Sequence, residues 1–227
     1  MLDIDNVLIN TSETVKLALD ELCCENGLPK LKYISGVSYS NWSNVISKAF
    51  LFHQNKRILS DEIHCEMKQK IQRELTINTP NFNQNLANRI IEYKQQGHFC
   101  SLITNNSMDM VDLLFQLYPN FSSDWFDIVI ADPSVGAKPS PNTYRSAIKR
   151  GPDNVDIIRL QHSIPGIFAF LKATNANSSK LCVVTDEPNS GLKQYVNKIA
   201  PNRDVSFTAP DWSYNNPSSI LNKLQAL

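Results

Sequence analysis

Apolar positions recur along the chain with two different periods, and the change of period divides it into two regions. After a short apolar run at residues 2–9, the spacing is helical. Val15, Ala18, Leu19 and Leu22 follow Thr11-Ser12-Glu13, which reads as a capping sequence, and Gly27 and Pro29 end the segment. A second helical pattern covers residues 41–52. A third starts after Ser60, read as its N-cap, and places Ile63, Met67, Ile71 and Leu75 on one stripe. Residues 76–85, with Pro80 and four Asn, read as a linker.

Beyond the linker the pattern becomes strand then helix, repeated. It predicts a helix over 86–96 closed by Gly97, a strand at 99–103, a helix at 108–117 and a strand at 127–130. A helix at 141–149, a strand at 155–160, a helix at 165–173, strands at 181–184 and 205–207, and a terminal helix from Ser218 follow. This alternation argues for an α/β protein with a Rossmann-like, doubly wound parallel sheet covered on both faces. The expected organisation is a core of residues 1–10 and 78–227, with an all-helical cap, residues 11–77, inserted after the first strand. Such an insertion overhangs the C-terminal ends of the strands, where open α/β sheets bind ligands, and reads as a lid.

Composition narrows the partner. The 227 residues carry 22 basic and 22 acidic side chains with no basic block, which argues against nucleic acid or a membrane surface and for a small molecule. No apolar run approaches the ~20 residues of a membrane helix, and no leader pattern opens the chain, so a cytoplasmic location is expected. The five cysteines are scattered and fit neither a disulfide framework nor a zinc spacing. Nothing in the sequence fixes an oligomeric state.

The chemistry lies at the strand ends. Asp3 and Asp5 stand two apart inside the first apolar run. Alone, such a pair reads as the wet side of an edge strand. The next core strand, however, ends in Ile103-Thr104-Asn105-Asn106-Ser107, and the one after it is followed by Gly136-Ala137-Lys138-Pro139-Ser140-Pro141. In a doubly wound sheet these ends share one crevice. A Thr hydroxyl beside free N–H groups at a helix start is a phosphate cradle, and Lys138 supplies the cation that two close carboxylates require. Separately, Thr104 would be a strand-end cap and Lys138 a surface lysine.

In their order, D-x-D-x-V-L-x-x-T, T-N-x-S, G-x-K-P-S-P-x-x-Y and S-I-P-G-I, these motifs span nearly the whole chain. The sequence resembles the haloacid dehalogenase-like (HAD) hydrolase superfamily, in its branch of small phosphatases and β-phosphoglucomutase-like enzymes with a helical cap. The resemblance implies phosphoryl transfer through an aspartyl-phosphate on a small phosphorylated metabolite. It assigns Asp3 as nucleophile and Asp5 as general acid and base, with Thr104, Asn105 and Lys138 as phosphate-binding residues. It also implies Mg²⁺, with Asp3, Asp5 and the position of His162 as metal ligands.

The sequence departs from the family pattern at three places. Where the family has an acidic residue followed by Asp-Ser, this chain has Gln161-His162-Ser163. A hard cation prefers carboxylate oxygen, so Mg²⁺ affinity should fall, and Mn²⁺, which accepts imidazole more readily, becomes an alternative. Of three readings of His162, a soft-metal ligand, a protonated stand-in for a cation and a hydrogen-bonding strand-end histidine, the last ranks first. Asp186 and Glu187 could replace the lost acids but read better as surface residues. Only Met1 and Leu2 precede Asp3, which shortens the central strand, and Asn6 stands where the family has mostly Gly, with backbone freedom enough to replace it. Residues 36–42 either select the leaving group or pack the cap. The expectation is therefore a weak phosphatase or phosphomutase. The alternative is a catalytically impaired relative serving as a phospho-ligand-binding or protein-interaction module.

Overall fold

A computed structural model describes residues 1–32, 39–118, 122–131, 136–153, 155–174, 179–185 and 191–210. The terminal helix expected from Ser218, the acids Asp186 and Glu187, residues 36–38 and the side chains of residues 39 and 40 lie outside the described residues.

Helices α1 (Ser12–Glu25), α2 (Tyr39–Gln54) and α3 (Ser60–Ile77) follow the helical spacing of the sequence, and α3 packs against both others. The stripe residues Val15, Leu19, Leu22, Ile63, Met67, Ile71 and Leu75 are all buried, with Ile46 and Phe50 from α2. Neither expected cap works as read. Leu59, in extended conformation, takes the N-cap position of α3, and the Ser60 hydroxyl donates instead to Asn44 Oδ1 at 2.7 Å. Thr11 is the N-cap residue of α1, but its hydroxyl makes no capping bond; it is used at the strand ends.

Next come α4 (Gln84–Gln95), β1 (Ser101–Ile103), α5 (Met108–Leu117), β2 (Ile128–Ile130), α6 (Asn142–Arg150) and β3 (Ile157–Gln161). The remaining described elements are α7 (Ile164–Ala173), β4 (Ser179–Val184), α8 (Gly191–Ile199) and β5 (Asp204–Thr208). β1 starts two residues later than the sequence predicts: the Cys100 N–H donates at 2.8 Å to the Asp127 side chain, and the ladder with β2 begins at Ser101. Helix α8 was not foreseen, although Leu192, Val196 and Ile199 are at helical spacing; Gly191 opens it and Val196 is its buried contact. Among the described residues no helix is long and apolar enough to cross a membrane.

The pairs among the named strands are parallel: β1 with β2, and β4 with both β3 and β5. Leu2 joins the two sets, bridging to Leu102 on one side and Leu160 on the other. The order across the sheet is thus β2, β1, Leu2, β3, β4, β5. The chain winds outward from Leu2 through β1 and β2, then returns to its other side at β3, which makes the neighbourhood of Asp3 the switch point of the sheet. One face carries Leu2, Leu102, Leu160 and Cys182 in a core shared with α4, α5 and the first three helices; the other carries Ile103, Ile130, Leu181 and Val183 against α6, α7 and α8.

The central strand is as short as expected. After Asp3 the chain turns, with Asn6 at φ 51° and the N–H groups of Val7, Leu8 and Ile9 all directed to the Ile4 carbonyl. Asn is among the residues that adopt this left-handed conformation most readily. The segment then meets the start of the second region: Asn10 N–H donates to Asn81 O at 2.9 Å and Asn83 N–H to Leu8 O at 2.8 Å. The two connections to the first three helices therefore run side by side. At the other end of the sheet Leu86, Ile90, Tyr93, Phe99 and Ile158 line a cavity of about 460 Å³ beside Met1.

Candidate active site

The turn after Leu2 points Asp3 and Asp5 at the C-terminal edge of the sheet. Asp3 is 2% exposed. Its Oδ2 accepts from Lys138 Nζ at 2.8 Å and lies 3.7 Å from Arg159 Nη2 and 3.8 Å from His162 Nδ1, while Oδ1 accepts from the Ile4 N–H at 3.1 Å. Burial alone would raise the Asp3 pKa, but the charges of Lys138 and then Arg159 outweigh it and hold the carboxyl ionised.

Asp5 is treated differently by its surroundings. Its Oδ1 accepts from the Thr11 hydroxyl at 2.7 Å and its Oδ2 from Asn106 Nδ2 at 3.0 Å. Burial and then the nearby Asp3 charge raise its pKa, against the opposing effect of those two hydrogen bonds. Two carboxylates two residues apart are thereby pushed in opposite directions, the surroundings favouring the ionised form at Asp3 and the protonated form at Asp5.

Thr104 and Lys138 both arrive where the sequence places them. Thr104 is 2% exposed, and its hydroxyl oxygen accepts from the Asn106 N–H at 3.1 Å in the turn that leads to α5. Lys138 is buried and also donates to the Ile103 carbonyl at 3.0 Å. Its pKa is lowered to about 8, by burial first and by Arg159 in addition, with Asp3 acting the other way. Asn105 accepts from the Lys138 N–H at 2.8 Å and donates to the Lys138 carbonyl at 3.3 Å. Its amide fixes the main chain that carries the lysine.

The end of β3 is built otherwise. Gln161 is fully buried: Nε2 donates to Tyr144 Oη at 3.1 Å, and Oε1 accepts from the N–H groups of His162 and Ser163 at 2.8 and 3.2 Å. The amide lies flat on Gly166, where an added Cβ would sit 1.8 Å from Gln161 Nε2. Ser163 caps α7 by accepting from the Gly166 N–H at 3.3 Å. His162 is held neutral, with its pKa lowered to about 4 by burial and by the adjacent cations, so it does not serve as a protonated stand-in at neutral pH.

These donors do not suit a hard divalent cation. Asp3 Oδ2 is ion-paired, both Asp5 oxygens accept hydrogen bonds, and the Gln161 amide is turned into the core. Among the described residues no three His, Cys, Asp or Glu side chains converge on one point. Three members of the site were given no role in it from the sequence: Asn106, Thr11, although it ends the D-x-D-x-V-L-x-x-T motif, and Arg159. The first is inside the T-N-x-S motif at its variable position, and the second reads as an ordinary helix cap. The third is a lone charge in an apolar strand. Trp42 is buried in the apolar core, which favours the packing role for the described part of residues 36–42.

Solved structures share this arrangement of elements. CbbY from Rhodobacter sphaeroides, in complex with phosphate, is similar with a TM-score of 0.61 and 21% identity over 81% of this chain and 84% of that one. A β-phosphoglucomutase from Clostridium difficile gives 0.63 and 18%, over 85% and 86%. A hydrolase from Pseudomonas syringae gives 0.71 and 13%, over 100% and 97%. At these identities the likeness is one of fold. No curated protein matches the chain. The model of the haloacid dehalogenase-like hydrolases matches residues 1–156, more than half of the length, and the chain belongs to that family.

Proposed function

We propose that the protein is a phosphatase or phosphomutase of small phosphate monoesters that works through an aspartyl-phosphate on Asp3. The observation that carries this reading is the buried Asp3–Lys138 pair at the switch point of the sheet, with Asp5 hydrogen-bonded two residues on. Asp3 attacks phosphorus while the protonated Asp5 gives its proton to the departing alkoxide. Asp5, now ionised, then takes a proton from the water that hydrolyses the acyl phosphate, or from the hydroxyl that accepts the phosphoryl group. Lys138 and the Thr104 turn hold the phosphoryl oxygens, and Asn105 holds Lys138. Residues 11–77 act as the lid, moving on the paired connections at residues 10–11 and 78–83.

Members of the family generally use Mg²⁺, and the donors at β3 support weak activity with it. That same feature favours a second reading, a module that binds a phosphorylated ligand without turning it over. Incubation with an aryl phosphate, followed by hydroxylamine trapping and peptide mapping, separates the two. A trapped adduct on Asp3 supports the enzyme. Saturable phosphate binding with neither adduct nor product supports the module, and the absence of both rejects the site.

A further inference from the structure

Arg159 has no part in the chemistry above, yet it heads the largest fully buried side chains of the protein. It projects from β3 on the face shared with Tyr144, whose ring lies 4.9 Å from the guanidinium carbon. Nη2 donates to the Ile103 carbonyl at 3.4 Å, the same carbonyl that Lys138 uses, and lies 3.7 Å from Asp3 Oδ2. Nε and Nη1 complete no well-formed hydrogen bond among the described residues, although the Tyr144 hydroxyl lies near the guanidinium. A guanidinium with unmet donors in an apolar interior is costly, and for packing alone an uncharged side chain of the same length would serve better.

The charges nearby give it a use. Two carboxylates, Asp3 and Asp5, face two cations, Lys138 and Arg159, and His162 adds an uncharged ring. With Asp5 ionised the site is balanced by its own side chains, and with Asp5 protonated, as in the first step proposed above, the cations outnumber Asp3; neither state needs a metal ion to balance it. A dication entering here would meet two resident positive charges beside Asp3. A phosphate dianion would meet Lys138, and Arg159 would keep Asp3 compensated as the ammonium turns toward the ligand.

We infer that Arg159 is a built-in counter-cation of this site, so that the protein binds phosphate without a divalent metal ion. The inference rests on the phosphate-site reading above. Arg159 does not reach the ligand; it is a positioning residue that acts through Asp3 and Lys138.

The test is calorimetric titration of inorganic phosphate into the wild type and Arg159 variants at neutral pH, in EDTA and in excess Mg²⁺. The wild type should bind equally in both buffers, within about twofold. Arg159→Met, similar in length and uncharged, should lose about tenfold or more in EDTA, the scale of one charge-assisted contact, and regain affinity with Mg²⁺. Arg159→Lys should stay close to the wild type. Should Arg159→Met fail to fold, Arg159→Gln makes the same comparison. Wild-type binding that requires Mg²⁺ overturns the inference and leaves the phosphate site standing. Unchanged binding by the uncharged variant in EDTA reduces Arg159 to a packing residue. A wild type that binds no phosphate in either buffer defeats the phosphate-site reading itself, and this inference with it.

Discussion

At the C-terminal edge of the sheet two strand ends stand side by side and use their polar residues in opposite ways. On the wall made by Asp3, Asp5 and the end of β1, three hydrogen bonds run between segments remote in sequence, Asp3 to Lys138, Asp5 to Asn106 and Asn105 to Lys138, and Asp5 is also bound by Thr11, six residues on. On the wall made by β3, the bonds of Gln161 stay local or turn inward, to His162, Ser163 and Tyr144. The first pattern gathers charge from several elements at one point. The second ends a strand and starts a helix. A polar residue in the right register is therefore not yet a site residue; the destination of its hydrogen bonds decides.

The comparison breaks first at Asp3. Asp3→Asn removes the proposed nucleophile and should lower turnover by about 10³-fold or more. It also leaves Lys138 and Arg159 buried without their counter-charge, which should cost on the order of 3–5 kcal/mol of stability. Denaturant unfolding of the variant measures the second effect. If its stability equals that of the wild type, charge is not what holds the first wall together.

Lys138→Ala comes next. It should weaken phosphate binding by roughly tenfold to a hundredfold, the worth of a charge-assisted hydrogen bond of about 1.5–3 kcal/mol. The same contact sets a pH dependence. The Lys138 pKa is lowered to about 8, so the ammonium is present below that pH and is lost above it. Wild-type affinity for phosphate should fall as pH rises through this range, approaching about tenfold per pH unit on the alkaline side. A flat wild-type profile, or the same slope in Lys138→Ala, assigns the dependence to another group.

The second wall is tested by Gly166→Ala. The new methyl group would collide with the Gln161 amide, which is itself fixed by four hydrogen bonds. Overpacking of this kind costs about 1–3 kcal/mol. Phosphate affinity should be unchanged, because the damage stays on the wall that ends in structure. A variant of full stability that has lost phosphate binding would reverse the roles of the two walls.

The sequence carried the first wall better than the second. Asp3, Asp5 and Thr104 were legible because each lies at a strand end or in the turn after it, and Lys138 because it sits in the G-x-K-P-S-P motif; such positions can be found from period and motif alone. The helical stripes of the first three helices were legible for the same reason, as in Ile63, Met67 and Ile71. What sequence reasoning missed depends on contacts across the fold. Asn106 touches Asp5 from 101 residues away. Arg159 in an apolar strand gives no sign of whether it faces solvent or the space under Asp3. Ser60 and Leu59 differ by one position, and propensity favoured the serine where the backbone placed the leucine.

Thr11 gives the smallest and sharpest test, because it lies where the two regions join. Its hydroxyl could cap α1 or bind Asp5, and it binds Asp5. Thr11→Val keeps the shape and removes that bond. The loss should cost only about 0.5–1.5 kcal/mol of stability, since no capping bond goes with it. The more specific effect is on Asp5, whose raised pKa is held down in part by the Thr11 bond. Without it the pKa rises further, and an acid of higher pKa keeps its proton to higher pH. The alkaline limb of the turnover profile should then move upward, by less than about one pH unit, with Asn106 still in place. A limb that moves down, or a shift equally present when Thr11→Val is made in an Asp5→Asn background, would separate Thr11 from the acid.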